Sequence, residues 1–202
     1  MAHTILKIRP AKARDTQEVP VSLPQLKHPS YTLEDWRSWE GRWELINGVA
    51  YDMTPAPNFE HQRISTKLIL AIGIALEEAK RETGGGECEV LAAPLDVFLE
   101  SGVVQPDLVV VCDPAKKSDR GVEGAPDLVV EILSPSTAGK DVTRKWWLYE
   151  AAGVPEYLIV DPVEQRGQLL RLVEGHYRET AHLEWGKVIA LLGGKITITL
   201  GS

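Results

Sequence analysis

The clearest pattern along the chain is a stripe of apolar residues that recurs every three or four positions between residues 58 and 84. Its large aliphatic members are Ile64, Leu68, Ile72 and Leu76. This spacing predicts one long amphipathic helix with a single buried face. Asn58 stands where an N-cap is expected, and a run of three glycines at 84–86 ends the helix.

Two further helices are predicted next to residues that cap helices well. Thr32 can cap a short helix that runs through Glu40, with acidic residues in its first turn, where the helix dipole favours anions. The Ser-Pro-Ser-Thr sequence at 134–137 can turn the chain and cap another helix, which runs to about Ala152. A Gly-Val-Pro sequence at 153–155 ends that helix.

Short runs of apolar and β-branched residues predict the strands. Runs at 43–46 and 49–53 flank Asn47-Gly48, and an Asn-Gly pair between two such runs predicts a β-hairpin. Further strands are predicted at 89–92, 95–99, 103–111, 127–133 and 157–160. The short runs and glycine turns at 168–200 are typical of a β-meander.

These elements predict a mixed α/β fold of the α+β kind, in which a β-sheet is flanked by helices and extended by hairpins and a meander. A length of 202 residues suits one domain. Residues 1–30 contain four prolines and little periodicity, which predicts an extended arm, and residues 31–202 form the predicted domain.

The net charge of −7 argues against broad, nonspecific binding to nucleic acids. Residues 1–14 nevertheless carry four basic residues and no acidic one. Such a basic arm is either a solvated tail, the more common case, or a contact for phosphates. A local phosphate site stays compatible with the acidic composition, because a bound divalent cation reverses the local charge.

The two cysteines, Cys88 and Cys112, lie far apart and belong to no CxxC or Cys/His group, which argues against a structural zinc site. We expect them to be reduced strand residues of a cytoplasmic protein. Every apolar run is far shorter than the roughly 20 residues that cross a bilayer, and the first residues lack an apolar signal segment. No membrane association is therefore expected.

Two carboxylates interrupt strands that are otherwise apolar. Asp107 lies within the run at 103–111, and Glu131 lies within the run at 127–133. Each could face a polar side of the sheet or neutralise a nearby Lys or Arg. Because they lie on consecutive strands, the two could instead hold one divalent cation, and Mg²⁺ prefers one or two carboxylates. Asp127 cannot share that ion with Glu131, since four residues along one strand separate them by about 13 Å.

A lysine on the helix that follows supplies complementary charge. Lys145 shares a helix face with Val142 and Tyr149. It could extend to water, pair with Asp141, or reach the two carboxylates and contact a phosphate or an attacking water. Lys140 and Arg144 are the other basic candidates on this helix.

Several ordered motifs resemble the Uma-type family of restriction-endonuclease-like proteins, over about residues 30–200. They are the sequences at 43–48, 55–57, 60–62, 105–110, 125–137 and 149–157, together with Asp141 and Lys145. The resemblance implies the PD-(D/E)XK nuclease superfamily and a restriction-endonuclease-like core, with a central mixed β-sheet flanked by helices.

The resemblance also implies roles for individual residues. Asp107 and Glu131 would hold Mg²⁺ or Mn²⁺, Lys145 would be the catalytic lysine, and Glu44 would be an auxiliary acid near the site. His61 could face the same cleft, although a lone helix histidine is more often structural. One departure from the superfamily is Leu133, which stands two residues after Glu131, where many members have a lysine.

The sequence thus predicts a metal-dependent endonuclease that hydrolyses phosphodiester bonds of DNA and forms a homo-oligomer, a dimer by expectation. Two alternatives stay open. One is a catalytically inactive module that uses the nuclease fold for binding. The other is a structural dimerisation protein with Trp146, Trp147 and Trp185 at its interface, although tryptophans are equally good core residues.

Overall fold

A computed structural model describes residues 30–54, 56–84, 86–134 and 140–201, without the side chains of 140–142. The helices are α1 Leu33–Arg37, α2 Phe59–Thr83 and α3 Lys140–Ala152. The strands are β1 Trp43–Ile46, β2 Val49–Asp52, β3 Glu89–Ala92, β4 Val97–Leu99, β5 Gly102–Val104, β6 Leu108–Val111, β7 Lys117–Ser118, β8 Gly121–Glu123, β9 Leu128–Ile132, β10 Glu156–Asp161, β11 Arg166–Val173, β12 His176–Glu184, β13 Val188–Leu191 and β14 Ile196–Thr199. Most of the predicted arm at 1–30, and the predicted turn from residue 135 onward, lie outside these ranges.

Within the described ranges the strands form two six-stranded sheets and a two-stranded ribbon, β13–β14. The first sheet has the order β2-β1-β5-β4-β8-β7, and the second has the order β12-β11-β10-β9-β6-β3. The second sheet is mixed, because β9 and β10 run parallel while its other neighbours are antiparallel. The predicted fold class, with mixed sheets flanked by helices, is confirmed.

The second sheet carries a hydrophobic core on each face. On one face, α2 and the β13–β14 ribbon pack against residues such as Leu108 and Val130. On the other face, α3 and the first sheet pack against residues such as Val109 and Val129. Successive residues of β6 and β9 face opposite cores, because side chains alternate between the two sides of a strand.

The predicted caps and turns of two early elements are present. Asn58 accepts a hydrogen bond from the His61 amide at the start of α2, and Gly84 ends that helix with a φ of 68°. Asn47 and Gly48, with φ values of 50° and 77°, connect β1 and β2. Both residues occupy the left-handed region that a tight hairpin turn requires. The helix predicted from Thr32 ends at Arg37 rather than Glu40.

The single strand predicted at 103–111 is wrong, because the chain divides it between the two sheets. Val104 ends β5 in the first sheet, and Leu108 begins β6 in the second. Pro106 lies at the break and has no amide hydrogen to donate to a ladder. The Gln105 amide donates to the Glu44 carboxylate instead of to a strand. The break places Asp107 at the entrance to β6 rather than in the middle of a strand.

The expectation that the cysteines are reduced is also wrong, since Cys88 and Cys112 form a disulfide. Glu89 of β3 pairs with Val111 of β6 in antiparallel register, so the next residue outward on each strand lies opposite the other. The two cysteines are 24 positions apart in the sequence, so their spacing alone does not indicate that they are neighbours in the fold. No helix in the described part of the chain has the length and apolar character needed to cross a membrane.

Candidate active site

A cleft of about 640 Å³ opens where the two sheets and the helices α2 and α3 meet. Its lining includes the four residues that the sequence singles out, which come from four different parts of the fold. Glu44 belongs to β1, Asp107 precedes β6, Glu131 belongs to β9, and Lys145 belongs to α3. His61, from the first turn of α2, lines the same cleft.

Asp107 and Glu131 lie at one end of the antiparallel pair formed by β6 and β9. Asp107 directly precedes Leu108, which pairs with Val130, the residue before Glu131. Glu131 alternates with Val130 and Ile132, which face α2, so its side chain leaves the sheet on the side of α3. Asp107 precedes β6, and its carboxylate lies beside His61 at the start of α2. The structure thus brings both carboxylates to one cleft, while metal binding by them stays a prediction.

Asp107 is held by one backbone donor and one ring nitrogen. Its Oδ2 accepts a hydrogen bond of 2.7 Å from the Ile132 amide and lies 3.2 Å from Nε2 of His61. Burial of His61 lowers its pKa, but the hydrogen bond and charge of Asp107 outweigh that effect, with smaller contributions from the Glu131 charge and the Ile132 carbonyl. The pKa of His61 is therefore raised above its ordinary value, which favours a cationic ring beside Asp107.

Glu131 is the most strongly perturbed carboxylate of the cleft. Its Oε1 accepts hydrogen bonds from Nζ of Lys145 at 2.9 Å and from the Tyr149 hydroxyl at 2.7 Å. Burial raises the pKa of Glu131 to about 7; the charges of Asp107 and Glu44 also raise it, whereas Lys145 lowers it. A carboxyl group with this pKa exchanges its proton near neutral pH, and a nearby cation favours its ionised form.

Lys145 bridges two acids from different sheets. Its Nζ lies 2.8 Å from Oε1 of Glu44 and 2.9 Å from Oε1 of Glu131, and its side chain is only 7% exposed. Burial alone would lower the pKa of Lys145, but the two carboxylates outweigh burial and raise the pKa well above its ordinary value. Lys145 is therefore a fixed cation at neutral pH, and it is not a proton acceptor.

Glu44 extends the hydrogen-bond network beyond Lys145. Its Oε1 accepts a hydrogen bond of 2.9 Å from the Gln105 amide. The Gln105 side chain in turn accepts from Nε of Arg42 at 3.1 Å and donates to Asp96 at 2.8 Å. The break between β5 and β6 therefore serves the site, since it frees the Gln105 amide to hold Glu44.

Leu133, where the family resemblance would lead one to expect a lysine, is apolar. It packs with the core beneath α3, on the same side of the sheet as Glu131. Lys145 reaches Glu131 from α3, which is one of the three contacts that the sequence left open and the one that the family resemblance implies. The side chains of Lys140 and Asp141, the competing candidates for these contacts, lie outside the described residues.

A cationic side chain stands at the mouth of the cleft. The exposed Arg144 guanidinium lies 4.9 Å from the centre of the Tyr51 ring, and both residues line the cleft. This separation is typical of a cation–π contact. Arg144 belongs to α3 and Tyr51 to β2, so the contact joins the first sheet to the helix that carries Lys145.

Four residues of this site were not identified as site residues from the sequence: Tyr149, Gln105, Arg42 and Tyr51. The first was detectable in principle, because it follows Lys145 by one helical turn. The other three reach the cleft only through the packing of the first sheet against the second. That packing cannot be inferred from the spacing of residues in the sequence.

The donor set of the cleft fits Mg²⁺ better than zinc. Within the described residues, no group of three or more His, Cys, Asp or Glu side chains is arranged to hold a metal ion. Two carboxylates suffice for Mg²⁺, which completes its shell with water and phosphate oxygens. Within the described residues, the hydrogen bonds to Asp107 involve its Oδ2, and those to Glu131 involve its Oε1. The other carboxylate oxygen of each residue is therefore a candidate ligand. Nδ1 of His61 is buried without a described hydrogen-bond partner.

Comparisons with known proteins agree with this architecture. Residues 31–200 match the sequence profile of the Uma2 family, described as "Putative restriction endonuclease". Uncharacterized protein slr1290 of Synechocystis sp. is 30% identical over 144 residues, which cover 68% of this chain and 72% of that protein. The crystal structure of a "putative nuclease belonging to DUF820" from Anabaena variabilis has a TM-score of 0.66 and 18% identity, and the alignment covers 84% of this chain and 94% of that chain.

Proposed function

The chain belongs to the Uma2 family, whose model matches residues 31–200, and on this premise we propose that it is a metal-dependent endonuclease that hydrolyses phosphodiester bonds of DNA. The observation that carries the proposal is the position of Lys145, whose Nζ contacts both Glu44 and Glu131 in the cleft that Asp107 also lines. An acid pair with an adjacent cation is the arrangement expected of a PD-(D/E)XK nuclease.

In the proposed site, Asp107 and Glu131 are the residues that would hold Mg²⁺ or Mn²⁺, since both line the cleft. When bound, such an ion activates water and neutralises charge on the phosphate. The Ile132 amide and the Tyr149 hydroxyl fix the two carboxylates, so their geometry is set before the substrate arrives. Preorganised polar groups of this kind require little rearrangement during the reaction.

Lys145 contributes a permanent positive charge. Because Glu44 and Glu131 keep it protonated, it can stabilise negative charge that develops on the phosphate, but it cannot remove a proton from water. Glu44 is a positioning residue in this proposal, since it contacts Lys145 and is itself held by the Gln105 amide. His61 has the same kind of role toward Asp107.

The proposed substrate is DNA, although the chain carries a net charge of −7. Arg42 and Arg144 line the cleft, and a guanidinium pairs well with a phosphate because its planar donors match the phosphate oxygens. The substrate would therefore be bound locally at the cleft rather than by a broadly basic surface. A cytoplasmic homodimer completes the proposal, as the sequence predicts.

One observation favours the alternative of an inactive binding module. Both described contacts of Lys145 are to carboxylates of this chain, and such a pair can be purely structural. The binding module and the nuclease share the fold and the cleft. They differ in whether a metal ion and the Lys145 charge cause strand cleavage.

A nicking assay on supercoiled DNA separates the two functions. The wild type should convert supercoiled to open-circular DNA in Mg²⁺ or Mn²⁺ and not in EDTA, whereas Asp107→Ala and Glu131→Ala should be inactive. Asp127→Ala is the matched control, because Asp127 also accepts a strand-end amide but does not line the cleft. Activity that survives Glu131→Ala would reveal a contaminant. Absence of cleavage by the wild type, with metal and DNA both bound, would favour the binding module.

A further inference from the structure

The side of α2 that faces away from the core carries an exposed stripe, here called the outer stripe. Its members recur every three or four residues and are Phe59, Arg63, Thr66, Leu70, Ile74, Glu77 and Arg81. Every member is exposed, and the three large apolar residues are 83% (Phe59), 59% (Leu70) and 57% (Ile74) exposed. Large apolar side chains aligned along a helix face are the usual sign of an interaction surface.

The outer stripe is symmetric about Leu70. Thr66 and Ile74 each lie four residues from it, and Arg63 and Glu77 each lie seven residues from it. Phe59 and Arg81 each lie eleven residues away. When two copies of a helix pack antiparallel about a twofold axis, residues at equal distances on either side of the centre face each other.

We propose that the outer stripe is a homodimer interface, in which α2 of one chain packs antiparallel against α2 of a second copy with Leu70 at the twofold axis. Leu70 then meets its own counterpart, and Ile74 covers Thr66 of the second copy. The three-and-four spacing is the one that lets side chains of paired helices interdigitate. The proposal does not depend on the nuclease activity, although the outer stripe borders the cleft, which Thr66 also lines.

Charge complementarity identifies a second copy as the occupant of this face. In the antiparallel register, Arg63 of each chain faces Glu77 of the other, so the symmetric interface contains two opposite-charge pairs. Arg63 already pairs with Glu60 in its own chain, and the second acid would complete a network around the guanidinium. Phe59 faces Arg81 of the second copy, a combination suited to a cation–π contact. A parallel arrangement would instead place like charges together.

Other exposed apolar residues lack this organisation. Trp147 on α3 is 63% exposed and Val188 on β13 is 66% exposed, but they lie on separate elements. Single exposed apolar residues are common on protein surfaces. Trp146 packs against Tyr177, and Trp185 packs against the core, so both are only partly exposed. The tryptophan interface considered from the sequence is therefore the weaker candidate.

Sedimentation equilibrium on the full chain tests the interface. The wild type should be dimeric at micromolar concentration, and Leu70→Glu should be monomeric because it buries two like charges at the axis. Val188→Glu is the matched control, since it places the same charge on an equally exposed position outside the outer stripe. Far-ultraviolet circular dichroism and the Tm establish that each variant is folded.

A charge exchange tests the register without relying on Leu70→Glu. Arg63→Glu and Glu77→Arg should each weaken dimerisation at least tenfold, and the double variant should recover most of the wild-type affinity. A monomeric wild type, a dimeric Leu70→Glu protein or an unrecovered double variant would each overturn the proposal. So would dissociation by Trp147→Glu with Leu70→Glu still dimeric, which would place the interface on α3. If Leu70→Glu does not fold, the charge exchange decides.

Discussion

Asp107 and Asp127 occupy equivalent positions at opposite ends of the β6–β9 strand pair. Asp107 precedes β6 and accepts the Ile132 amide at the end of β9, whereas Asp127 precedes β9 and accepts the Cys112 amide just after β6. The same five residues, Pro-Asp-Leu-Val-Val, begin at 106 and at 126 and produce this local twofold arrangement. Each aspartate therefore accepts a backbone amide at one end of the β6–β9 pair. Of the two, Asp107 also lines the cleft and Asp127 does not.

The first prediction uses this pair to separate structure from metal binding. Asp107→Ala and Asp127→Ala should each lower stability by about 1–3 kcal/mol, because each leaves a strand-end amide without its acceptor. Mg²⁺ should raise the Tm of the wild type and of Asp127→Ala, since a ligand that binds only the folded state stabilises it. Asp107→Ala should lose that rise. Differential scanning calorimetry with and without EDTA gives both quantities, and an equal rise in Asp107→Ala would place the ion elsewhere.

The second prediction concerns the buried cation. Lys145→Met leaves Glu44 and Glu131 without their partner, which should destabilise the metal-free protein by about 3–5 kcal/mol. The rise in Tm caused by Mg²⁺ should become larger than in the wild type, because the ion then supplies the missing positive charge. DNA cleavage should fall by about 10²–10⁴-fold.

Arg171→Met is the control for the loss of Lys145. It breaks the contact of Arg171 with Glu156, which is buried, and neither residue lines the cleft. This variant should be destabilised with no change in the effect of Mg²⁺. If Lys145→Met cleaves DNA as fast as the wild type, then Lys145 has only a structural role.

The parts of the site that were predictable are those set by local periodicity. The apolar runs around them indicated that Asp107 and Glu131 are anomalous, and helical spacing put Lys145 on the same helix face as Tyr149. The structure shows these residues in one cleft because β6 and β9 are neighbours. Their catalytic roles stay predictions.

What the sequence did not reveal depends on packing between distant segments. The disulfide joins Cys88 to Cys112 through the register of β3 and β6, which the spacing of the cysteines does not report. The break at Gln105 likewise depends on Glu44, a residue 61 positions earlier that accepts the Gln105 amide. Pro106 was the local signal for that break, but the apolar residues on both sides favoured a continuous strand.

The third prediction concerns pH. In the folded protein the pKa of Glu131 is about 7 instead of 4.5, and the pKa of His61 lies above its ordinary value of 6.5. Both groups bind protons more tightly when folded, so their contribution is most favourable below the unfolded pKa and is lost as the pH rises through the folded pKa. The Tm in EDTA should therefore fall between pH 4.5 and 7 through Glu131, and above pH 6.5 through His61.

Two variants separate the contributions of Glu131 and His61 to the dependence of the Tm on pH. Glu131→Gln should flatten the lower part of the fall, and His61→Asn should flatten the upper part. Gln62→Ala removes a polar side chain that lines the same cleft and does not titrate, and it should leave the shape of the profile unchanged. A Tm that rises through neutral pH in EDTA would contradict the assignment of these two groups.

The last prediction concerns the substrate contact at the mouth of the cleft. Arg144→Gln should weaken DNA binding, because it removes a positive charge that contacts the Tyr51 ring in the cleft. The slope of log Kd against log salt should decrease by about one, the value for one lost phosphate contact. The Mg²⁺-dependent rise in Tm should be unchanged, since Arg144 is not a proposed ligand.

Arg120→Gln is the matched control for this prediction. Its guanidinium also lies over a ring, that of Phe98, but neither residue lines the cleft. Binding should be measured by fluorescence anisotropy with the inactive Glu131→Ala background, and an equal loss in both arginine variants would show that only overall charge matters.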